Sequence, residues 1–251
     1  MRYFLKLAYN GTGFHGWQMQ KNAHSIQQEI SDNLSTILSA ETPVMGCGRT
    51  DAGVHAKEFY AHFDANSLNQ SAEKLIYRLN SMTHKNIVIH DLLKVKDDAH
   101  ARFDATKRSY EYLITTQKNP FILDLAYRYN QHLNLDRMNE ACEILIGEKD
   151  FGCFCKVHSD NKTNICHVTE ANWTKEKNTI QFSISANRFL RNMVRAIVGT
   201  MLDIGQDNTS IEDLSSILAS GKRTEAGRSV PAHGLSLTKV EYPTEIFLRT
   251  S

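Results

Sequence analysis

From Gly46 to Ala56 the chain reads Gly-Cys-Gly-Arg-Thr-Asp-Ala-Gly-Val-His-Ala, three glycines around one acid. A cation, Arg49, stands two residues before that acid and a histidine, His55, four after it. Glycine adopts backbone conformations that other residues resist and lets a ligand come close to the main chain. The stretch is therefore read as a loop that presents Asp51 to something bound.

Two other readings compete. A phosphate cradle fits poorly, because the glycines fall at 46, 48 and 53 and no Lys-Ser/Thr pair follows the last of them. Alternatively, Thr50 or Asp51 caps a helix or pins a turn, as Asp commonly does. On the loop alone this second reading stands first; the rest of the chain reverses the order.

At 251 residues and 41% hydrophobic, the chain has the material for one large domain or two small ones. Its formal net charge is only +1, so a polyanionic partner has to be held by local patches. No apolar run is long enough to span a bilayer. The opening Met1-Arg2-Tyr3-Phe4-Leu5-Lys6 lacks the apolar core of a signal peptide and reads as the first strand. Five scattered cysteines, an odd number, point to reduced thiols in a cytoplasmic protein. Cys153-x-Cys155 with Cys166-His167 does not have zinc-site spacing, so no metal is assigned.

In chain order, residues 3–9 form a strand that runs into Asn10-Gly11, a strong turn signal. Phe14, His15, Trp17, Gln18 and Gln20 follow. They suit either base stacking with edge hydrogen bonds or a hairpin packed back on the core. Ser25-x-x-Gln28 is a capping box opening a helix to about Ala40, with Ile26, Ile30, Leu34, Ile37 and Leu38 on one face. A short strand at 59–63, a helix at 71–80 and a strand at 87–95 come next. A polar connection, 98–108, then leads to a strand at 110–114 with Tyr110 and Tyr112 on one face.

Asn119-Pro120 marks a domain seam, giving halves 1–118 and 119–251. The second half is read as a helix from Asp136 to Gly147, strands at 165–174 and 179–186, a helix at 188–204, a short helix from Ser210 to Gly221, and a strand at 234–242. The order favours α+β, mostly antiparallel sheets with helices on one face of each. On the expected helix 188–204, Arg188, Arg191 and Arg195 lie opposite the apolar face, with no acid between Ala186 and Leu202. A solvated charged face is the ordinary explanation. A pure arginine ridge, however, is poorly compensated unless an anion visits it, and the guanidinium fork suits phosphate and carboxylate.

Four segments, NGTGFHGWQ, GRTDAGVHA, HARFDATKRSYEY and ANRFLRNMVRAIVG, taken together and in this order, resemble the tRNA pseudouridine synthases of the TruA type. The resemblance extends across most of the chain. It implies the pseudouridine synthase fold, a pseudo-twofold pair of mixed, mostly antiparallel sheets with helices on the outer faces. It also implies an isomerase, a homodimer without cofactor or metal, converting uridine to pseudouridine at positions 38 to 40 of the tRNA anticodon stem-loop. By motif, Asp51 is the catalytic nucleophile, Tyr110 lies against the uracil ring and Arg195 pairs with the Asp51 carboxylate. Two departures stand out: Phe154 is followed by Cys155-Lys156 rather than arginine, and the end reads Gly234-Leu235-Ser236-Leu237 without the family's tyrosine.

The chemistry agrees with those roles. The reaction breaks N1–C1′, turns the ring and joins C5 to C1′; a carboxylate can form the covalent intermediate at C1′ or at C6. A neighbouring arginine favours the ionised form of a carboxylate. A stacked tyrosine and close glycine backbone hold the detached base. Extruding the nucleotide costs a few kcal/mol, which Arg49, Arg188, Arg191 and the 222–228 loop are expected to offset on phosphates. Two further classes remain in view: a non-catalytic RNA-binding protein, whose discriminating sign would be a lost acid at 51, and a hydrolase with an Asp nucleophile and a small ester or halide substrate.

Overall fold

The computed structural model describes residues 1–157, 159 and 161–248. The elements in chain order are β1 (Arg2–Tyr9), α1 (Ile26–Leu38), β2 (Met45–Gly46), β3 (His55–Asp64), α2 (Ala72–Met82) and β4 (Ile87–Val95), then β5 (Lys107–Thr115), β6 (Tyr127–Arg128), α3 (Leu135–Leu145), β7 (Gly147–Asp150), β8 (Ile165–Glu176) and β9 (Thr179–Ala186), and last α4 (Met193–Gly205), α5 (Ile211–Ser220) and β10 (Leu235–Glu241). They gather into two compact units, 1–106 with 237–251 and 107–236. The seam expected at Asn119-Pro120 therefore lies inside the second unit. Strand β5 pairs with β9 from Arg108 to Thr115 and belongs with it, while the chain's last strand returns to the first unit from Leu237 on.

In the first unit β1 lies between β3 and β4, antiparallel to both, with β2 on β3 and β10 on the other side of β3. Both faces of β1 are covered. Tyr9, on one face, meets Trp17 and Phe59, which stack at 4.1 Å. Phe4, on the other, meets Tyr242 and Phe247 of the returning C-terminal segment. Helix α1 starts where Ser25 accepts the Gln28 amide and stops at Ser39 in the left-handed conformation. Its buried stripe, Ile26, Ile30, Leu34 and Ile37, follows the expected apolar face, with Leu38 at the helix end half-buried, and the helix packs with α2.

In the second unit the order is β5-β9-β8-β7, antiparallel throughout, with β6 parallel to β5. Helix α3 packs on β8 and touches α4 and α5. Every residue of α4 except Arg195 and Asp203 is buried. An amphipathic helix was expected; one that is apolar all round belongs in a core. The reason is the segment 226–230, which lies directly on it: a Cβ on Gly199 would stand 1.7 Å from the Arg228 carbonyl oxygen. The mixed α/β, mostly antiparallel architecture is as expected.

One buried base in the first unit carries a pH prediction. His62, 7% exposed on β3, accepts the Ala101 amide at Nδ1 over 3.2 Å. Burial, reinforced by His100 and Arg2, pushes its pKa down to about 4. The unfolded chain therefore binds the proton more readily between about pH 6.5 and 4, so stability is full above 6.5 and is lost as pH falls through that window. A drop on the order of 2 kcal/mol in urea-unfolding free energy is expected, and His62→Gln should flatten that part of the profile.

Candidate active site

Asp51 sits on the connection between β2 and β3, and the backbone there is fixed on both sides of it. The Cys47 amide donates to Tyr60 O at 2.7 Å, and the Val54 amide closes a turn on Asp51 O at 3.1 Å. That turn needs a positive φ at its third position, which Gly53 supplies at 78°. Thr50 is held twice: its carbonyl accepts the Trp17 amide, and its hydroxyl shares a 2.9 Å hydrogen bond with Tyr9 Oη. His55 accepts the Gly11 amide at Nδ1, 3.0 Å away.

The segment 10–17 is thus the mould of the loop. A Cβ on Gly11 would come within 2.1 Å of Val54 O, and one on Gly16 within 2.4 Å of Thr50 O. Phe14 and Trp17 are buried, at 4% and 1% exposure, and Trp17 fills the space that Gly46 leaves open. Of the two readings of these aromatics, packing on the core is the one the structure supports. In this setting Asp51 is half-buried, Arg49 exposed and His55 buried. Tyr9→Phe strands a buried hydroxyl on Thr50, so a loss of about 1–2 kcal/mol in stability is expected. Chemical denaturation measures it, and a parallel fall in turnover would report the loop's loosening.

Tyr110 lies on β5 opposite Ile184 of β9, half-buried, its ring edge-on to Phe189 at 5.0 Å and 83°. Two residues on, Tyr112 is fully buried and donates to Pro231 O at 2.8 Å.

The expected helix from Arg188 needs correcting. Helix α4 begins at Met193, and Asn192 before it takes the left-handed conformation, φ 69°. Arg188 and Arg191 therefore lie on the preceding link, half-buried and exposed respectively, and form no helical ridge with Arg195. The apolar spacing read through this break because Leu190 is buried on the link as it would be on a helix, and Met193 N closes a turn on its carbonyl. Asparagine is among the few residues that take the left-handed conformation readily. It was the one signal of the break.

Arg195 is half-buried in the first turn of α4. Its Nε donates to Val230 O at 2.8 Å, and the Val230 amide donates back to Arg195 O at 3.2 Å. The covering segment is itself held by Arg223, whose terminal nitrogens donate to Ala226 O, Gly227 O and Ser229 Oγ. Asn192 Nδ2 reaches Ser229 Oγ at 2.7 Å. Arg223, read from sequence as part of a phosphate-binding loop, is thus a structural tie, while Arg228 is exposed. Tyr9, Asn192 and Ser229 are supporting residues that sequence reasoning missed; the Tyr9–Thr50 and Asn192–Ser229 pairs join residues tens of positions apart. By unit, Asp51 and Arg49 belong to the first, and Tyr110, Arg188, Arg191 and Arg195 to the second.

A family model described as tRNA pseudouridine synthase matches residues 141–243, a span that contains the whole of α4 and its covering segment. Whole-length relatives extend the match to the Asp51 loop. The tRNA pseudouridine synthase A of Bacteroides fragilis is 48% identical over 247 residues, covering 98% of both chains. This chain belongs to the tRNA pseudouridine synthase A family. That of Porphyromonas gingivalis is 49% identical over 98% of this chain and 99% of the relative. In a more distant member, from Clostridium acetobutylicum, identity is 38% over 95% and 98%. With the family goes the enzyme class, an isomerase. A solved Cbf5-Nop10-Gar1 complex is similar at a TM-score of 0.37, 12% identity, over 93% of this chain and 57% of that one, which adds nothing to the fold described above.

Proposed function

We propose that this member of the family isomerises uridine to pseudouridine at positions 38 to 40 of the tRNA anticodon stem-loop, with Asp51 as nucleophile. What carries the reading is the construction of the 46–55 loop. Its one acid is half-buried, and the backbone around it is clamped by Tyr9, Trp17, Gly11 and Tyr60. A nucleophile carried on a clamped backbone has part of its orientation entropy removed before substrate arrives, and positioning of this kind lowers a barrier.

The Asp51 carboxylate attacks C1′ or C6, N1–C1′ breaks, and the freed ring turns until C5 faces C1′. C5 then bonds to C1′, displacing the carboxylate where it had attacked C1′; where it had attacked C6 it is eliminated from the ring afterwards. The proton on C5 is lost and N1 takes one up. Tyr110 holds the ring during the turn, and its hydroxyl helps remove the C5 proton. Arg195 pairs with the carboxylate; its side chain is pinned to Val230, so it can keep a fixed direction. Arg49, Arg188 and Arg191 contact the RNA backbone and offset the cost of extruding the base. The active species is a cytoplasmic homodimer with tRNA bridging two copies, and it works without cofactor or metal.

Incubating the protein with unmodified tRNA and mapping pseudouridine nucleotide by nucleotide tests this. Modification confined to 38–40 is the expected result. Modification elsewhere only, or hydrolysis of a small ester in its place, would overturn it.

A further inference from the structure

The turn that follows β4 holds an aromatic ring out in water with unusual care. Phe103 is 72% exposed, and it lacks the hydroxyl that makes exposure cheap for a tyrosine. The backbone beneath it is fixed from several directions within the first unit. His100 N donates to Asp104 Oδ2 at 2.7 Å and Asp104 N to His100 O at 3.1 Å. The amides of Arg102 and Phe103 both point at His100 Nδ1, at 3.1 and 3.4 Å. Ala101 is gripped through its amide by His62 and through its carbonyl by Tyr242 Oη at 2.6 Å, while Arg2 donates to Ala99 O at 2.9 Å. The His100 ring lies 4.3 Å from the phenyl ring, and the Arg102 guanidinium carbon 5.6 Å from its centroid.

A ring exposed on a mobile loop would need no explanation. One exposed on a turn locked by the buried His62 and the half-buried Arg2, His100, Asp104 and Tyr242 is preorganised, and preorganisation lowers the entropy lost when a ligand docks. The turn offers one ring to a ligand, since Phe103 is its one exposed large apolar side chain while Ala99, Ala101 and Ala105 are buried, so a small, flat group suits it. Its neighbours in the turn, His100, Arg102 and Asp104, are polar, and Asp97 and Asp98 just before it are exposed. A protein interface needs an apolar core of many residues, which this is not. An unpaired nucleobase fits: it offers a π-face to the phenyl ring, and aromatic stacking is how proteins take bases that have left a helix.

We infer that Phe103 is a stacking platform for an unpaired nucleotide of the bound tRNA, separate from the uridine that is modified. This rests on the reading of tRNA as the substrate, and the experiment keeps the two apart by measuring binding independently of turnover.

Dissociation constants for unmodified tRNA are measured for the wild type and for Phe103→Ala, Phe103→Leu and Phe103→Trp, alongside a blunt-ended RNA duplex. Stacking contributes enough per base that Phe103→Ala and Phe103→Leu should each weaken tRNA binding by about 10-fold. Phe103→Trp should hold it, and duplex binding should not change. Thermal midpoints of all four proteins should coincide, since the ring is outside the core. Wild-type affinity in Phe103→Ala overturns the inference. So does wild-type affinity in Phe103→Leu, which would show an apolar rather than a stacking contact. Equal weakening on tRNA and duplex also overturns it. A wild type that binds tRNA with this pattern yet makes no pseudouridine would sink the catalytic reading and leave the platform standing.

Discussion

Asp51→Asn is expected to lower the turnover number for pseudouridine formation by at least about 10⁴-fold, with tRNA affinity within a few-fold of wild type. Asparagine keeps the volume and one of the two oxygens but has no anionic pair to give to C1′ or C6. The loop should keep its shape, because the Thr50 hydroxyl, the Trp17 and Val54 amides and the Gly53 turn all hold it through atoms other than the carboxylate. Unchanged binding would therefore show that the protein is folded and that RNA docking is independent of the nucleophile. Single-turnover kinetics with enzyme in excess measure the chemical step free of product release. A residual rate within 10-fold of wild type would remove Asp51 from the chemistry.

Arg195→Met should cost about 10²–10³-fold in the same rate constant, the scale on which one positioned donor in a dry site acts. Methionine retains the length and the apolar stem but loses the charge and the Nε–H that meets Val230 O. Leaving that carbonyl without its donor costs roughly 1 kcal/mol of stability, small enough for the protein to remain folded. Arg195→Lys is the sharper comparison. It restores a cation but not the planar fork held at Val230, so its rate should fall between wild type and Met. If Lys and Met were equally and only slightly impaired, Arg195 would be a structural tie between α4 and residue 230 and nothing more.

Much of this was readable from sequence where the cause is local. The Asp51 loop was legible because Gly48 and Gly53 disfavour a regular element around the acid, and residues 47–54 do form the connection between β2 and β3. Helix α1 was legible from Ser25 and an apolar stripe that a 3.6-residue repeat puts on one side. What was not legible depends on partners distant in sequence. Phe14 and Trp17 could have faced RNA or the core until Gly46 and Phe59, tens of residues on, were seen to receive Trp17. The start of α4 was misread by five residues because Leu190 keeps the apolar spacing while Asn192 turns the backbone. The arginine face was misread for a related reason: Gly199 and Gly227 let residues 226–230 settle on the helix, covering a side that sequence alone leaves to solvent. The seam moved from 118 to 106 because strand pairing, not a proline, decides where β5 belongs.

The most direct test is the structure of the Asp51→Asn protein with tRNA bound, read for one distance. A side-chain atom of residue 51 within about 3.5 Å of C1′ or C6 of an extruded uridine, with the Tyr110 ring and the Arg195 guanidinium beside the same nucleotide, is the expected result. An extruded uridine seated elsewhere on the protein, or RNA lying across the 46–55 loop with every base still stacked, would contradict it.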